Sequence, residues 1–408
     1  MRNLVLLYIG QFISQAGDAL FNVSVLFLVL LLESHSASMK TGFVSLLNTL
    51  PFLIFGFVAG TLVDRFNRKR LMLGSDLLRG LLLVMVPVAY GSGLLAWWVV
   101  AMMGFLLATF STVFNPARDA VLPELAKKRS LLRVNAFFQT SQQLAIILGA
   151  MFAGVFLQLQ GEKSLPDSEK IRLIVQLIFV DGITFFISFL TILFISLPAE
   201  KLRAKMEATA WDDIRNGMKY IFSDQLLAAL LIFTAVDNFF IMGPAIVGAN
   251  LFIKNTLKLG PSNLAFFEGS LACGWFVGTI LVAKFGKRFR KGHLLLAGII
   301  LDGATYIPFL FIRSYAVLLA AIFIHAIAIP LITVSRTSIV QEYVPAHHMG
   351  KVFSLVNMTV IGSTAISGSV TGALGEFLSA PVLFFLAGIG GMTCGLIGLK
   401  IRSIRHYQ

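Results

Sequence analysis

At 408 residues, 57% hydrophobic and only 13% charged, with a mean hydropathy of +0.85, the chain is too apolar for a soluble domain and fits a lipid bilayer. A net charge of +13 would suggest nucleic acid in a soluble protein, but most of the 33 Lys and Arg sort to one side of the membrane, which excludes that partner. The two cysteines, Cys273 and Cys394, lie far apart in apolar runs, where no metal or redox spacing arises and buried packing is expected.

About twenty apolar residues cross the hydrocarbon layer as a helix. Twelve stretches qualify, at 4–32, 42–63, 71–90, 94–115, 134–159, 171–197, 226–252, 264–285, 293–312, 315–335, 352–374 and 381–401. The first follows Arg2 as a secretory leader would, but it is too long and lacks a small-residue cleavage site before Glu33, so a retained helix is predicted. On it Gln11, Gln15, Asp18 and Asn22 share one face. A carboxylate near the middle of a membrane helix costs about 2.5–3.5 kcal/mol on insertion scales, so Asp18 faces a bundle interior or a watery cavity. It is either a coupling residue or a neutral, hydrogen-bonded tie between helices.

Basic clusters at 65–70, 127–133, 201–219 and 284–291 each follow an inward-running helix. They place both termini in the cytoplasm and meet anionic lipid headgroups. In the third helix Asp76 and Arg79 are spaced for an ion pair. The fifth carries Asn135, Gln139 and Gln142 on one face, suited to a ligand or to a neighbouring helix. Gly149, Gly154, Gly368, Gly372, Gly391 and Gly395 imply close helix packing, two of their pairs at the four-residue spacing. The outer loop 161–170 reads as a turn at Leu165-Pro166-Asp167.

The long polar stretch 198–224 divides the chain into residues 1–197 and 225–408. Within it Trp211, Ile214, Met218, Ile221 and Phe222 recur at helical spacing against Asp212, Asp213, Arg215 and Lys219, as in a helix lying on a membrane surface or on a partner. The seventh stretch sets Thr234, Asp237 and Asn238 ahead of Gly243-Pro244, where a helix bends or breaks. Asp237 is a second cavity carboxylate or an acid in an outer vestibule. Asp181, Glu268, Asp302 and His325 also fall inside spans, where one of them can carry a proton. His347-His348 lacks the further ligands a metal needs. No nucleophile motif or histidine–carboxylate cluster stands at a membrane face, which argues against an enzyme and against a cofactor.

Several residues recur at one constant offset: Gly60 with Gly278, Arg118 with Arg336, Glu124 with Glu342, and Gly154 with Gly372, while Asp18 and Asp237 are one residue out of register. A parallel repeat in so apolar a chain implies an all-α membrane protein of twelve transmembrane helices in two pseudo-symmetric six-helix bundles. Such duplication belongs to carriers whose halves rock about a shared site.

The segment 60–70, Gly-Thr-Leu-Val-Asp-Arg-Phe-Asn-Arg-Lys-Arg, resembles the signature loop of the major facilitator superfamily, with Asn67 where a second glycine is usual. Asparagine tolerates the left-handed turn that such a glycine would make. Asn115-Pro116-Ala117-Arg118 to Glu124, Asn135-Ala136, Gln341-Glu342 and Gly350-Lys351-Val352-Phe353-Ser354-Leu355 are similar to the macrolide-efflux branch, over nearly the whole chain. The resemblance implies the major facilitator fold and export of amphipathic or hydrophobic, drug-like molecules by alternating access with proton antiport. A lysophospholipid or siderophore carrier is the alternative, because those branches share the Gly17-Asp18 opening. It further implies a cytoplasmic gate of Gly60, Asp64, Arg65, Arg68 and Lys69 with Arg118 and Arg336, while the polar faces and in-span ionisable residues above give the candidate cavity set of Gln15, Asp18, Asn22, Gln139, Gln142, Asp237, Asn238, Glu268 and His325. The fourth helix lacks the arginine motif of many proton-coupled exporters, and Gly149-Ala150 to Gly154 stands where their glycine-proline motif falls. The expected partners are a small-molecule substrate, protons and membrane lipids, around a monomer in the inner or plasma membrane.

Overall fold

A computed structural model describes residues 2–32, 37–126, 130–159, 166–197, 210–259, 262–405 and 407. Among these the regular structure is helical and no strand forms. Six helices come first: α1 (Arg2–Leu32), α2 (Ala37–Arg65), α3 (Arg68–Gly91), α4 (Trp97–Ala126), α5 (Leu131–Leu159) and α6 (Asp167–Leu193). The short α7 (Ala210–Ser223) precedes α8 (Gln225–Gly243), α9 (Ala249–Leu251), α10 (Ser262–Phe285), α11 (Lys291–Tyr306), α12 (Tyr315–Tyr343), α13 (Met349–Leu374), α14 (Ala380–Gly398) and α15 (Arg402–Arg405). Twelve candidate spans among the described residues are long and apolar enough to cross a membrane, that of α8 running on through Thr256.

Local chemistry sets the helix starts nearest the site. Asn67 has extended backbone (φ −64°, ψ 115°) and its side chain accepts from the Arg70 N–H at 3.0 Å, so it is the N-cap of α3. This corrects the left-handed turn expected at that position: asparagine replaces glycine here as a capping acceptor. Asp224 caps α8 in the same manner, accepting from Leu226 and Leu227 N–H at 2.9 and 3.0 Å. On α7, Ile221 is buried while Met218 and Phe222 are exposed. The side chains of Trp211, Asp212, Asp213 and Ile214, like the rest of the linker over 198–209 and residues 161–165 of the outer loop, lie outside the described residues.

By internal contacts the chain forms two compact units. Unit 1 comprises Met1–Lys127, Leu144–Ile214 and Pro345–Ser354; unit 2 comprises Lys128–Gln143, Arg215–Val344 and Leu355–Gln408. Thus α5 begins in unit 2 and ends in unit 1, and the first residues of α13 belong to unit 1. In unit 1, α6 packs on α1 and α3, and α4 on α2 and α3, around Phe21, Leu28, Leu83, Ile178 and Phe185. In unit 2, α10 and α11 pack on α12, and α14 on α11 and α8. Its aromatic centre joins Phe252, Tyr306, Phe309 and Phe384, with Phe309 stacked on Phe384 at 4.6 Å.

The glycines divide by what surrounds them. A Cβ on Gly149 would stand 2.2 Å from the Ala16 carbonyl oxygen, and one on Gly395 would stand 2.8 Å from the Ile300 nitrogen, so these positions let helix backbones approach. Gly372 faces open space and Gly368 meets only Val247 at 3.9 Å. Close packing, expected for both four-residue pairs, therefore holds for Gly391 and Gly395 and not for Gly368 and Gly372. Cys394 is buried as expected, whereas Cys273 is exposed, because its side of α10 faces outward.

The Gly243-Pro244 step neither breaks nor sharply ends the seventh span. The backbone widens into π turns at Pro244–Gly248 and Phe252–Thr256. The Gly243 N–H donates to Ser367 Oγ at 2.7 Å, and that hydroxyl donates to the Phe239 carbonyl. Ser367, from α13, thus sits inside the hydrogen-bond ladder of α8, one residue ahead of the proline that supplies no N–H.

Candidate gate and carboxylate sites

Two of the signature-loop residues, Asp64 and Arg68, contact one short segment of unit 1, around 346–351. Asp64, in the last turn of α2, is buried, and its carboxylate accepts from the Gly350 N–H at 2.8 Å and the Lys351 N–H at 3.1 Å. Both donors belong to the first turn of α13, whose unpaired N–H groups and positive dipole end suit an anion. One turn earlier, Gly60 leaves the room this docking needs. A Cβ there would lie 2.9 Å from both the Gly350 carbonyl oxygen and Lys351 Cα.

Arg68 opens α3 and is 1% exposed. Its Nη1 donates to Glu124 Oε1 at 2.8 Å and to the Ala120 carbonyl at 3.0 Å, and its Nη2 donates to the Ala346 carbonyl at 2.5 Å. The guanidinium fork therefore joins the end of α4 to the segment that enters α13. Lys69 donates to the carbonyls of Leu193 and Ile195 at 2.8 and 2.6 Å, which closes the C-terminal end of α6, and Arg65 is exposed.

Deeper in unit 1, Arg79 is the centre of an acidic cluster. It is ion-paired with Asp76 and lies 4.5 and 4.3 Å from the ring centres of Phe114 and Phe185. Its charge also acts on Asp18 and Asp181. Asp181 accepts from Thr184 Oγ1 at 3.1 Å, and its Oδ1 overlies Gly17, where a Cβ would be only 2.1 Å away. The Gly17-Asp18 pair thus lets α1 pass beneath a second carboxylate. Asp18 is half-buried, Gln11 and Gln15 are buried, and Asn22 is exposed. Arg118, whose charge reaches Asp18, also bonds Asn115 and Asp119.

Unit 2 holds a matching pair. Asp237 and Asn238 are buried on α8, and Arg336 of α12 donates to Thr234 Oγ1 at 3.2 Å while its charge acts on Asp237. Asn238 donates back to the Thr234 carbonyl at 2.9 Å, and Asp237 Oδ1 is buried with no hydrogen-bonding partner among the described residues. Beside them, His325 Nε2 lies 3.5 Å from Asp302 Oδ1, its Nδ1 is 2.9 Å from Thr305 Oγ1, and its ring stacks on Tyr306 at 4.1 Å. Glu268, by contrast, stands exposed on α10.

The polar face of α5 is used for contacts within unit 2. Asn135 donates to Ser338 Oγ and Gln341 Oε1 at 3.0 and 2.7 Å, and Gln139 Oε1 accepts from Thr333 at 2.7 Å, while Gln142 is half-buried. Sequence reasoning missed Lys291, the first residue of α11, whose Nζ pairs with Glu342 at 2.9 Å. Glu124 and Glu342 are repeat mates, and each takes a cation from the first residue of its unit's third spanning helix. The matching glutamates were the signal that pointed to it.

The Major Facilitator Superfamily profile matches residues 7–368 and again 239–406. The chain is 24% identical over 406 residues to macrolide efflux protein A of Streptococcus pyogenes, covering 98% of this chain and 96% of that protein. It is 26% identical over 318 residues to macrolide efflux protein A of Enterococcus faecalis, covering 76% and 93%. Among solved structures, a bacterial homologue of the iron transporter ferroportin in its outward-facing state superposes with a TM-score of 0.76 at 15% identity, covering 99% and 100% of the two chains. The E. coli fucose:proton symporter gives 0.77 at 14%, covering 97% of each. Twelve apolar helices, a duplicated charge pattern and a profile match over almost the entire length agree: the chain belongs to the Major Facilitator Superfamily and is an integral membrane transporter, not an enzyme.

Proposed function

We propose that this transporter exports amphipathic or hydrophobic small molecules by alternating access, in exchange for protons. The observation that carries the reading is a duplicated placement of acid and arginine: Asp18 and Arg118 on the first and fourth spanning helices of unit 1, where Asp18 also belongs to the cluster around Arg79, and Asp237 and Arg336 on the first and fourth of unit 2. An ionisable side chain kept inside a membrane bundle and matched to a nearby cation is the equipment a proton-driven carrier needs. The direction of transport and the drug-like substrate are supported by the efflux proteins to which the chain is similar.

The Asp64 and Arg68 contacts act as the gate at the cytoplasmic end, and the first turn of α13 leaves α2 once per cycle. Both termini face the cytoplasm, the membrane is the inner or plasma membrane, and the working form is a monomer. The test is accumulation of macrolide-like and other amphipathic compounds in inside-out vesicles, with and without a pH gradient, for the native protein, Asp18→Asn and Asp237→Asn. Gradient-driven accumulation by the native protein that falls at least about a hundredfold in each variant is expected, the lower end of what a positioned proton-transfer group contributes. Accumulation indifferent to the gradient would remove proton coupling, and an unaltered variant would remove that carboxylate.

A further inference from the structure

The junction of α10 and α11 in unit 2 carries a basic cavity. A cavity of about 490 Å³ is lined by Lys287, Arg288, Arg290 and Lys291 together with Phe289, Ser130 and Leu132. Glu342 offsets Lys291 at 2.9 Å, but the lining contains four cations and no carboxylate, so the cavity is electropositive. Phe289 is also part of the wall of a second cavity of about 220 Å³ along α10 and α12, lined by Leu281, Val282, Phe285, Leu294, Ile327 and Leu331 among others. That groove is apolar throughout. Lys284 and Arg288 stand 5.3 and 5.6 Å from the Phe285 ring centre, so the boundary between charge and hydrocarbon falls at this turn.

A basic pocket that continues into an apolar slot matches the two ends of one kind of molecule. We propose that this junction binds an anionic phospholipid, with its phosphate among Lys287, Arg288 and Arg290 and the upper part of an acyl chain in the α10–α12 groove. Free phosphate would satisfy the cations but not the groove, and a neutral lipid would satisfy the groove but not the cations. The place in the fold suits the occupant, because the cations begin where a membrane-spanning helix ends.

The intact protein in detergent is titrated with phosphatidylglycerol, phosphatidylcholine or glycerol 3-phosphate, and bound molecules are counted by native mass spectrometry. The native protein should retain phosphatidylglycerol at least about tenfold over phosphatidylcholine at low salt, with the preference shrinking as salt rises. The triple variant Lys287→Gln/Arg288→Gln/Arg290→Gln should lose on the order of a hundredfold in affinity, and the single variant Arg288→Gln about fivefold. Leu281→Asn should weaken diacyl lipid without creating affinity for glycerol 3-phosphate. Arg313→Gln, which removes an exposed cation past the other end of α11, should bind as the native protein does. Equal retention of the two lipids, unchanged binding by Arg288→Gln and the triple variant alike, or displacement of phosphatidylglycerol by equimolar glycerol 3-phosphate would overturn the assignment.

Discussion

Replacing Asp64 with asparagine removes the charge from the contact between α2 and α13 while keeping its shape. The carboxylate receives two N–H bonds, from Gly350 at 2.8 Å and Lys351 at 3.1 Å. Hydrogen bonds to a charged acceptor contribute about 1.5–3 kcal/mol each, and the helix end adds about 0.3–1 kcal/mol. Asparagine retains one neutral acceptor and no longer buries a charge, which offsets part of the loss. The net cost is about 2–4 kcal/mol, or about 30- to 700-fold in the equilibrium between a docked and a released first turn of α13. Amide hydrogen exchange over 345–354 reads that equilibrium directly when reclosing outpaces exchange. Exchange there should accelerate by this factor, while peptides from α6 keep their native rates. Rates for 345–354 within about threefold of the native protein would show that the carboxylate does not hold this segment and would refute the gate argument.

Three further outcomes follow from the packing. Arg79→Met breaks a buried ion pair and leaves Asp18, Asp76 and Asp181 without their shared cation, so thermal unfolding in detergent should report a loss of about 3–5 kcal/mol, at least half of it recovered by adding Asp76→Asn. A double variant no more stable than the single one would contradict that account. Ser367→Ala removes the hydroxyl inserted between Phe239 and Gly243; a cost of about 1–3 kcal/mol with faster exchange around 239–248 is expected, and native exchange there would mean that the ladder closes unaided. Gly395→Val forces side-chain atoms into the Ile300 backbone and should cost at least about 1–3 kcal/mol, whereas Gly372→Ala, facing open space, should be neutral or stabilise by up to about 1 kcal/mol. Equal effects at the two glycines would show that surroundings do not decide them.

The fold was legible because the bilayer imposes one length and one polarity on every span, and duplication wrote the same marks twice. The partners of Asp64 were not. Asp64 meets Gly350 across 286 residues, and nothing near either residue announces the other beyond a second glycine opposite Gly60. Arg79 and Asp302 stand at matching depths in α3 and α11, one basic and one acidic, yet a constant offset does not align them. The connection before α11 is longer than the two residues before α3, so the register slips there and recovers by Arg336. Glu268 shows a different gap: hydropathy places it within a span, but its exposure on α10 is set by packing that periodicity alone does not give.

The exchange of short segments between units has a consequence for cutting the chain. A break in the linker, after residue 204 for example, would give an amino-terminal fragment without 345–354 and a carboxy-terminal fragment without 128–143. Neither piece would own all the residues of its compact body, and the surfaces around Asp64 and Ser338 would lose their native partners. Co-expressed fragments should therefore accumulate together, whereas each expressed alone should be degraded, so that the duplicated halves depend on each other for survival as well as for transport.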